Sequence, residues 1–120
     1  MNRILIIEDY AGKRARLATA LKPEGYEILT AADGLLGVEM AQRERPDLIL
    51  MNVMLSGLNG FETARLLKTH GATRHIPIIA ISAHATPVER EQALDAGCDG
   101  YLAEPVDMLA LPQQIRLFLR

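Results

Sequence analysis

The chain has 120 residues, 49% of them apolar, with 15 acidic and 13 basic side chains and a net charge of −2. This is the length of one domain with enough apolar residues for a core, so a single domain over residues 1–120 is expected. The charge balance excludes a basic field for nucleic acid or a polybasic membrane patch, and no apolar run is long enough to span a bilayer. Cys98 is the one cysteine, so no internal disulfide is possible. With no cleavable leader pattern behind Met1-Asn2-Arg3, this fits a reducing, cytoplasmic setting.

Ile4-Leu5-Ile6-Ile7 is a short apolar run that ends in Glu8-Asp9. From about Gly12 to Lys22 the spacing predicts an amphipathic helix with Leu17, Ala18 and Leu21 inward and Lys13, Arg14 and Arg16 on a solvated face. Pro23 and Gly25 close it. Tyr26 to Ala31 is the second strand. Asp33 can cap a helix to about Arg43, with Leu35, Val38 and Ala41 facing in. Leu36 and Met40 fall outside that inward set, either as scattered exposed residues or as part of a docking patch.

Leu48-Ile49-Leu50-Met51, opened by Pro46-Asp47, reads as a strand buried on both faces. It releases the chain at Asn52. Gly60 to Thr69 is helical, with Phe61, Ala64 and Leu67 on the buried side. Ile76 to Ile81 is a fourth strand that tolerates Pro77 at its start. Pro87 suits the first turn of a helix ended by Gly97. Gly100 to Ala103 makes a short fifth strand. Val106 to Leu119 is a last helix with Pro112 inside it. A mid-helix proline costs about 3 kcal/mol, so a bend or restart is expected near Met108 to Pro112.

Strands alternating with helices imply parallel strands joined by right-handed crossovers, with helices on both faces. In such a sheet ligands gather at the carboxyl ends of the strands. Those ends carry Glu8-Asp9, Asn52, Ser82 and Glu104-Pro105, so all four lie on one edge. His84 reads as a surface-loop residue, His70 and His75 carry no motif spacing, and Cys98 reads as a small buried apolar residue.

The chain resembles the response regulator receiver domains of two-component signalling over essentially its whole length. The resemblance is carried by Ile4-Leu5-Ile6-Ile7-Glu8-Asp9, Pro46-Asp47-Leu48-Ile49-Leu50-Met51, Met54-Leu55 with Gly57 and Gly60, Ser82-Ala83, and Tyr101 three residues before Glu104-Pro105. It implies a doubly wound, flavodoxin-like α/β fold: a five-stranded parallel sheet in the order 2-1-3-4-5 with five helices. It also implies a signalling module, not an enzyme, whose family accepts a phosphoryl group from a histidine kinase on an aspartate after strand three. By the resemblance Glu8 and Asp9 are the acid pair that holds magnesium, and Met54 supplies a backbone carbonyl to the metal. Ser82 is the hydroxyl switch and Tyr101 the aromatic one. A histidine kinase, a phosphotransfer protein or a downstream effector is the implied partner, met by a monomer or weak homodimer. No output domain is expected to follow, so a signal is expected to leave by protein contact.

Two positions break the family pattern. Asn52 stands in place of the acceptor aspartate and Glu104 in place of the lysine. Phosphoryl acceptance needs an anionic carboxylate oxygen, which an amide lacks. Glu104 would repel a phosphoryl group where lysine attracts it. Like unit charges about 4 Å apart at an effective dielectric of about 20 repel by roughly 4 kcal/mol. That is on the order of a thousandfold in binding.

Glu8, Asp9 and Glu104 also gather three carboxylates with no basic partner in the motif. Glu104 can turn out to water, a hard divalent cation such as Mg2+ can neutralise the group, or one carboxyl can stay protonated. Asn52 can donate its amide to Asp9 or Glu104. The leading expectation is a phosphorylation-independent pseudo-receiver acting by protein–protein interaction. The alternatives are a divalent-cation-responsive receiver, or an active phospho-receiver carrying introduced substitutions at Asn52 or Glu104.

Overall fold

The computed structural model of the chain describes residues 2–55 and 57–119. Five strands form one parallel sheet: β1 (Arg3–Ile7), β2 (Glu27–Ala31), β3 (Leu48–Asn52), β4 (Ile78–Ser82) and β5 (Gly100–Ala103), in the order β2-β1-β3-β4-β5. The helices among the described residues are α1 (Ala11–Leu21), α2 (Gly34–Glu44), α3 (Gly60–Thr69), α4 (Pro87–Asp95) and α5 (Leu111–Arg116). A 3-10 turn at Lys22–Glu24 ends α1, with Gly25 following it at φ +86°. None of the described helices is long and apolar enough to cross a membrane. The expected α/β architecture and strand order are those observed.

Continuous apolar runs suit the central strands because each strand feeds two cores. Leu5, Ile7, Ile49, Met51, Ile78 and Ala80 point to one side, where Val38 and Ala41 of α2, Ala64 and Leu67 of α3 and Ala93 of α4 meet them. Ile4, Ile6, Leu48, Leu50, Ile79 and Ile81 point to the other, against Leu17, Ala18 and Leu21 of α1 and Leu111 and Ile115 of α5. Alternation along a strand makes this division automatic. Full burial of each such aliphatic side chain contributes about 1.5–3 kcal/mol, so the two cores supply the main driving force.

The inward face of α2 differs from the expected one. Leu35 is 63% exposed, and Gly34, Gly37, Val38 and Ala41 are the buried residues. Met40, expected outside the inward set, packs against the core instead, while Leu36 stays partly exposed. Small residues set this geometry. A Cβ at Gly37 would come within 2.5 Å of the Ile7 side chain, so the helix rests on the sheet through glycine backbone. Apolar periodicity alone favoured the leucine over the glycines. Asp33 does cap the helix as expected, accepting from the Leu36 N–H at 2.8 Å.

The other differences are at element ends. β4 starts at Ile78, and Pro77 lies before it with its carbonyl accepting from the Ile49 N–H. The last helix is a single short segment over Leu111–Arg116, with Pro112 in its first turn. There the missing N–H has no helical acceptor to lose. In place of the expected helix from Val106 with a bend or restart, the helix simply begins at Leu111 and avoids the interior-proline cost. Asp107 closes the preceding turn by accepting from the Leu109 N–H at 3.0 Å.

α3 begins directly beneath the end of β3. Asn59 and Glu62 form a reciprocal capping box that satisfies the first N–H groups. Gly60, next to the cap, packs so closely that a Cβ would lie 2.5 Å from the Val53 Cα and 2.9 Å from the Asn52 carbonyl oxygen. Both are backbone atoms and cannot swing aside. Gly60→Ala is therefore expected to lose about 1–3 kcal/mol by overpacking, read as a lower denaturation midpoint in urea with an unchanged m-value.

Candidate functional site at the strand ends

The register of the sheet builds the site. Ile7 lies opposite Met51, Met51 opposite Ala80, and Ser82 opposite Ala103. One residue past the Ile7–Met51 pair come Glu8 and Asn52, side by side. The Asn52 amide nitrogen donates to Glu8 Oε1 at 2.8 Å, and the Met54 N–H donates to Asn52 Oδ1 at 2.8 Å. The Tyr10 N–H donates to the other Glu8 oxygen at 3.0 Å. Glu8 is 2% exposed and Asn52 is also buried. Burial pushes the Glu8 carboxyl up from its ordinary range, the bonds from Asn52 and Tyr10 draw it back, and Asp9 adds a further upward influence. The amide of Asn52 was expected to reach Asp9 or Glu104; its partner is Glu8, because the strand pairing fixes those two neighbours.

Glu104 does not turn out to water. Lys13 Nζ meets its two carboxylate oxygens at 3.0 and 3.2 Å. The solvated face assigned to Lys13, Arg14 and Arg16 is thus corrected for two of the three. Lys13 enters the cleft, and the Arg14 guanidinium donates to the Glu8 carbonyl at 2.7 Å, pinning the turn between β1 and α1. The physical reason lies in where α1 starts. Ala11 is its first residue, so Lys13 and Arg14 sit in the first turn, at the same edge as the strand ends. Contact with Glu104 raises the Lys13 ammonium further above its ordinary range, against some desolvation.

Lys13 is the residue that motif reading missed. A signal was present. The first turn of a helix favours acids, because the N-terminal end of the helix dipole is positive. Two cations there, with no acid in that turn, ask for anions nearby.

A cleft of about 520 Å³ joins Glu8, Asp9, Tyr10, Lys13, Asn52, Met54, Ala83 and Glu104. Its oxygens suit a hard divalent cation in kind. Both Glu8 oxygens and Asn52 Oδ1 already accept hydrogen bonds within the chain, and an ammonium faces the carboxylates. Among the described residues no three or more His, Cys, Asp or Glu side chains are grouped to hold a metal. The arrangement falls short of a divalent-ion site in this form.

The two residues matched to switches take local partners. Ser82 is fully buried and its Oγ accepts from the His84 N–H at 3.0 Å, closing the loop after β4. Tyr101 is half-buried. Its hydroxyl donates to the Glu89 carboxylate of α4, and the Arg90 guanidinium carbon lies 5.9 Å from the ring centroid. Burial and then Glu89 push its hydroxyl up from its ordinary pKa. His84 is exposed, as read from the sequence. Cys98 is buried, its thiol pushed up to about 11 chiefly by desolvation, so it acts as core. Tyr101→Phe is expected to cost about 0.5–1.5 kcal/mol through the lost bond to Glu89, measured by urea unfolding, with the fold retained by circular dichroism.

A family model described as "Response regulator receiver domain" matches residues 4–116. The chain is 38% identical over 118 residues to the response regulator PleD of Caulobacter vibrioides, a match over 98% of this chain and 26% of PleD. The chain therefore spans about a quarter of the length of that relative. It is 31% identical to the polar-differentiation response regulator DivK of Brucella anthropi, over 97% of this chain and 94% of DivK. Among solved structures, the receiver domain of the sensor histidine kinase PA1611 from Pseudomonas aeruginosa superposes with a TM-score of 0.90 at 33% identity, covering 98% of this chain and 96% of that one. That structure has a magnesium ion coordinated in its active-site cleft. With the sheet order, the strand-end cleft and a match over nearly its whole length, this chain belongs to the response regulator receiver domain family.

Proposed function

We propose that this receiver works without phosphoryl transfer and signals by binding a protein partner. The observation that carries the proposal is the state of residue 52. The position that would present a nucleophilic carboxylate holds a buried neutral amide, its nitrogen given to Glu8 and its oxygen to the Met54 N–H. A neutral amide oxygen is no nucleophile for phosphorus at useful rates. Glu104 supports the same reading, since a carboxylate stands where a phosphoryl oxygen would need a cation, and Lys13 is already engaged by it.

A histidine kinase, a phosphotransfer protein or a downstream effector is the class of partner this reading implies. The surface of α4 and β5 suits such contact. Val88 and Leu94 are exposed on α4, beside the Tyr101–Glu89–Arg90 group. Because Tyr101 is tied to α4, that surface is held in one arrangement with no covalent signal required.

The test is exposure of the wild-type chain to acetyl phosphate with magnesium, followed by intact mass. No added phosphoryl group is expected, and a stable phosphoryl adduct on the wild-type chain would overturn the proposal. Asn52→Asp should not be a simple restoration. It removes the donor to a buried carboxylate and sets a second carboxylate against it at hydrogen-bond distance. A loss of about 1–3 kcal/mol at neutral pH is expected in urea unfolding, relieved as the pair is protonated in acid. Unchanged stability would show that the Asn52–Glu8 bond carries little weight.

A further inference from the structure

We propose that Lys13 is the resident cation of the strand-end cleft, giving its carboxylates from within the chain the positive charge a divalent ion would otherwise bring, and so weakening the cleft's hold on magnesium. This goes beyond the docking reading and stands whether or not the chain ever accepts a phosphoryl group.

The argument starts from charge. Glu8, Asp9 and Glu104 line one cleft, and Lys13 is the ammonium that lines it with them. Its two contacts to Glu104, at 3.0 and 3.2 Å, join α1 to the end of β5 across 91 residues of sequence. Glu8 and Asp9 also act on it electrostatically. A part-exposed ion pair of this kind adds only about 0–1 kcal/mol of stability, so folding alone gives little reason for it. Its position costs something as well, because a cation in the first turn of a helix opposes the dipole. Nearby carboxylates offset that cost.

The oxygens tell the same story. Magnesium keeps part of its water shell, but it demands a near-octahedral set in which the carboxylate oxygens the protein contributes are open to it. Here Glu8 Oε1, Glu8 Oε2 and Asn52 Oδ1 are each bonded to an N–H of the chain, and Glu104 is bonded to Lys13. An entering dication meets engaged oxygens and a fixed like charge. Repulsion across a few ångströms in a partly shielded cleft is large enough to decide the affinity.

The experiment uses Mn2+ as the probe, with free ion counted by electron paramagnetic resonance in the intact chain. Wild type is expected to bind weakly. Lys13→Met frees Glu104 and removes the ammonium, and is expected to bind at least about tenfold tighter. Glu104→Gln takes away a carboxylate and leaves the ammonium to Glu8 and Asp9, so it should bind no better than wild type. Adding Asp9→Asn to Lys13→Met should abolish the gain. Lys13 is part-exposed on a helix, and Lys13→Gln serves as a second neutral variant if methionine disturbs the fold. The proposal is overturned if both neutral variants stay within about twofold of wild type. It is equally overturned if Glu104→Gln gains as much as they do, or if Asp9→Asn leaves the gain intact.

Discussion

The hydrogen bond from the Asn52 amide to Glu8 is the interaction on which this cleft depends. Glu8 is buried at the end of β1, where an ionised carboxylate is costly unless donors surround it. The chain offers two, the Tyr10 N–H and the Asn52 amide. A carboxylate at position 52 could give no such donation unless it were protonated. The amide of residue 52 therefore satisfies a buried acid. The sheet supplies the constraint behind it: parallel pairing of β1 with β3 sets Ile7 opposite Met51 and so brings the next residue of each chain segment side by side.

Charge around that pair is arranged in a second layer. Lys13 reaches Glu104, and Arg14 reaches the Glu8 carbonyl, both from the first turn of α1. The family pattern places its cation after strand five and its acids after strand one. Here an acid occupies the strand-five position and a cation comes from the helix after strand one. Glu8 and Asp9 remain on the first wall, and Lys13 joins them there to face Glu104. The architecture does not depend on the residues of this edge, because the fold rests on the two apolar layers.

Close approach of helices to the sheet explains where the edge residues sit. Gly37 brings α2 against Ile7, and Gly60 brings α3 against the backbone of Asn52 and Val53. Core packing at native density leaves no slack for an added methyl group at such contacts. The position of Asn52 is consequently fixed from below by a glycine and from the side by Glu8.

Strand identity, strand order and the convergence of polar strand ends were legible in the sequence. Four-residue apolar runs bounded by turn residues admit few other readings, and their polar last residues mark one edge. The presence of an amide at residue 52 and a carboxylate at residue 104 was equally plain, since these are matters of residue identity. The inward face of α2 was not legible from apolar periodicity, because Leu35 outweighs Gly34 and Gly37 on any scale of hydrophobicity although only the glycines fit. Nor was the partner of Glu104. Lys13 lies 91 residues away, and nothing local links the two. The sequence by itself determined which charges this protein carries and which layers it builds. Only the tertiary structure decided which charges meet, because pairing between distant residues is set by where the sheet register and the start of α1 put them in space.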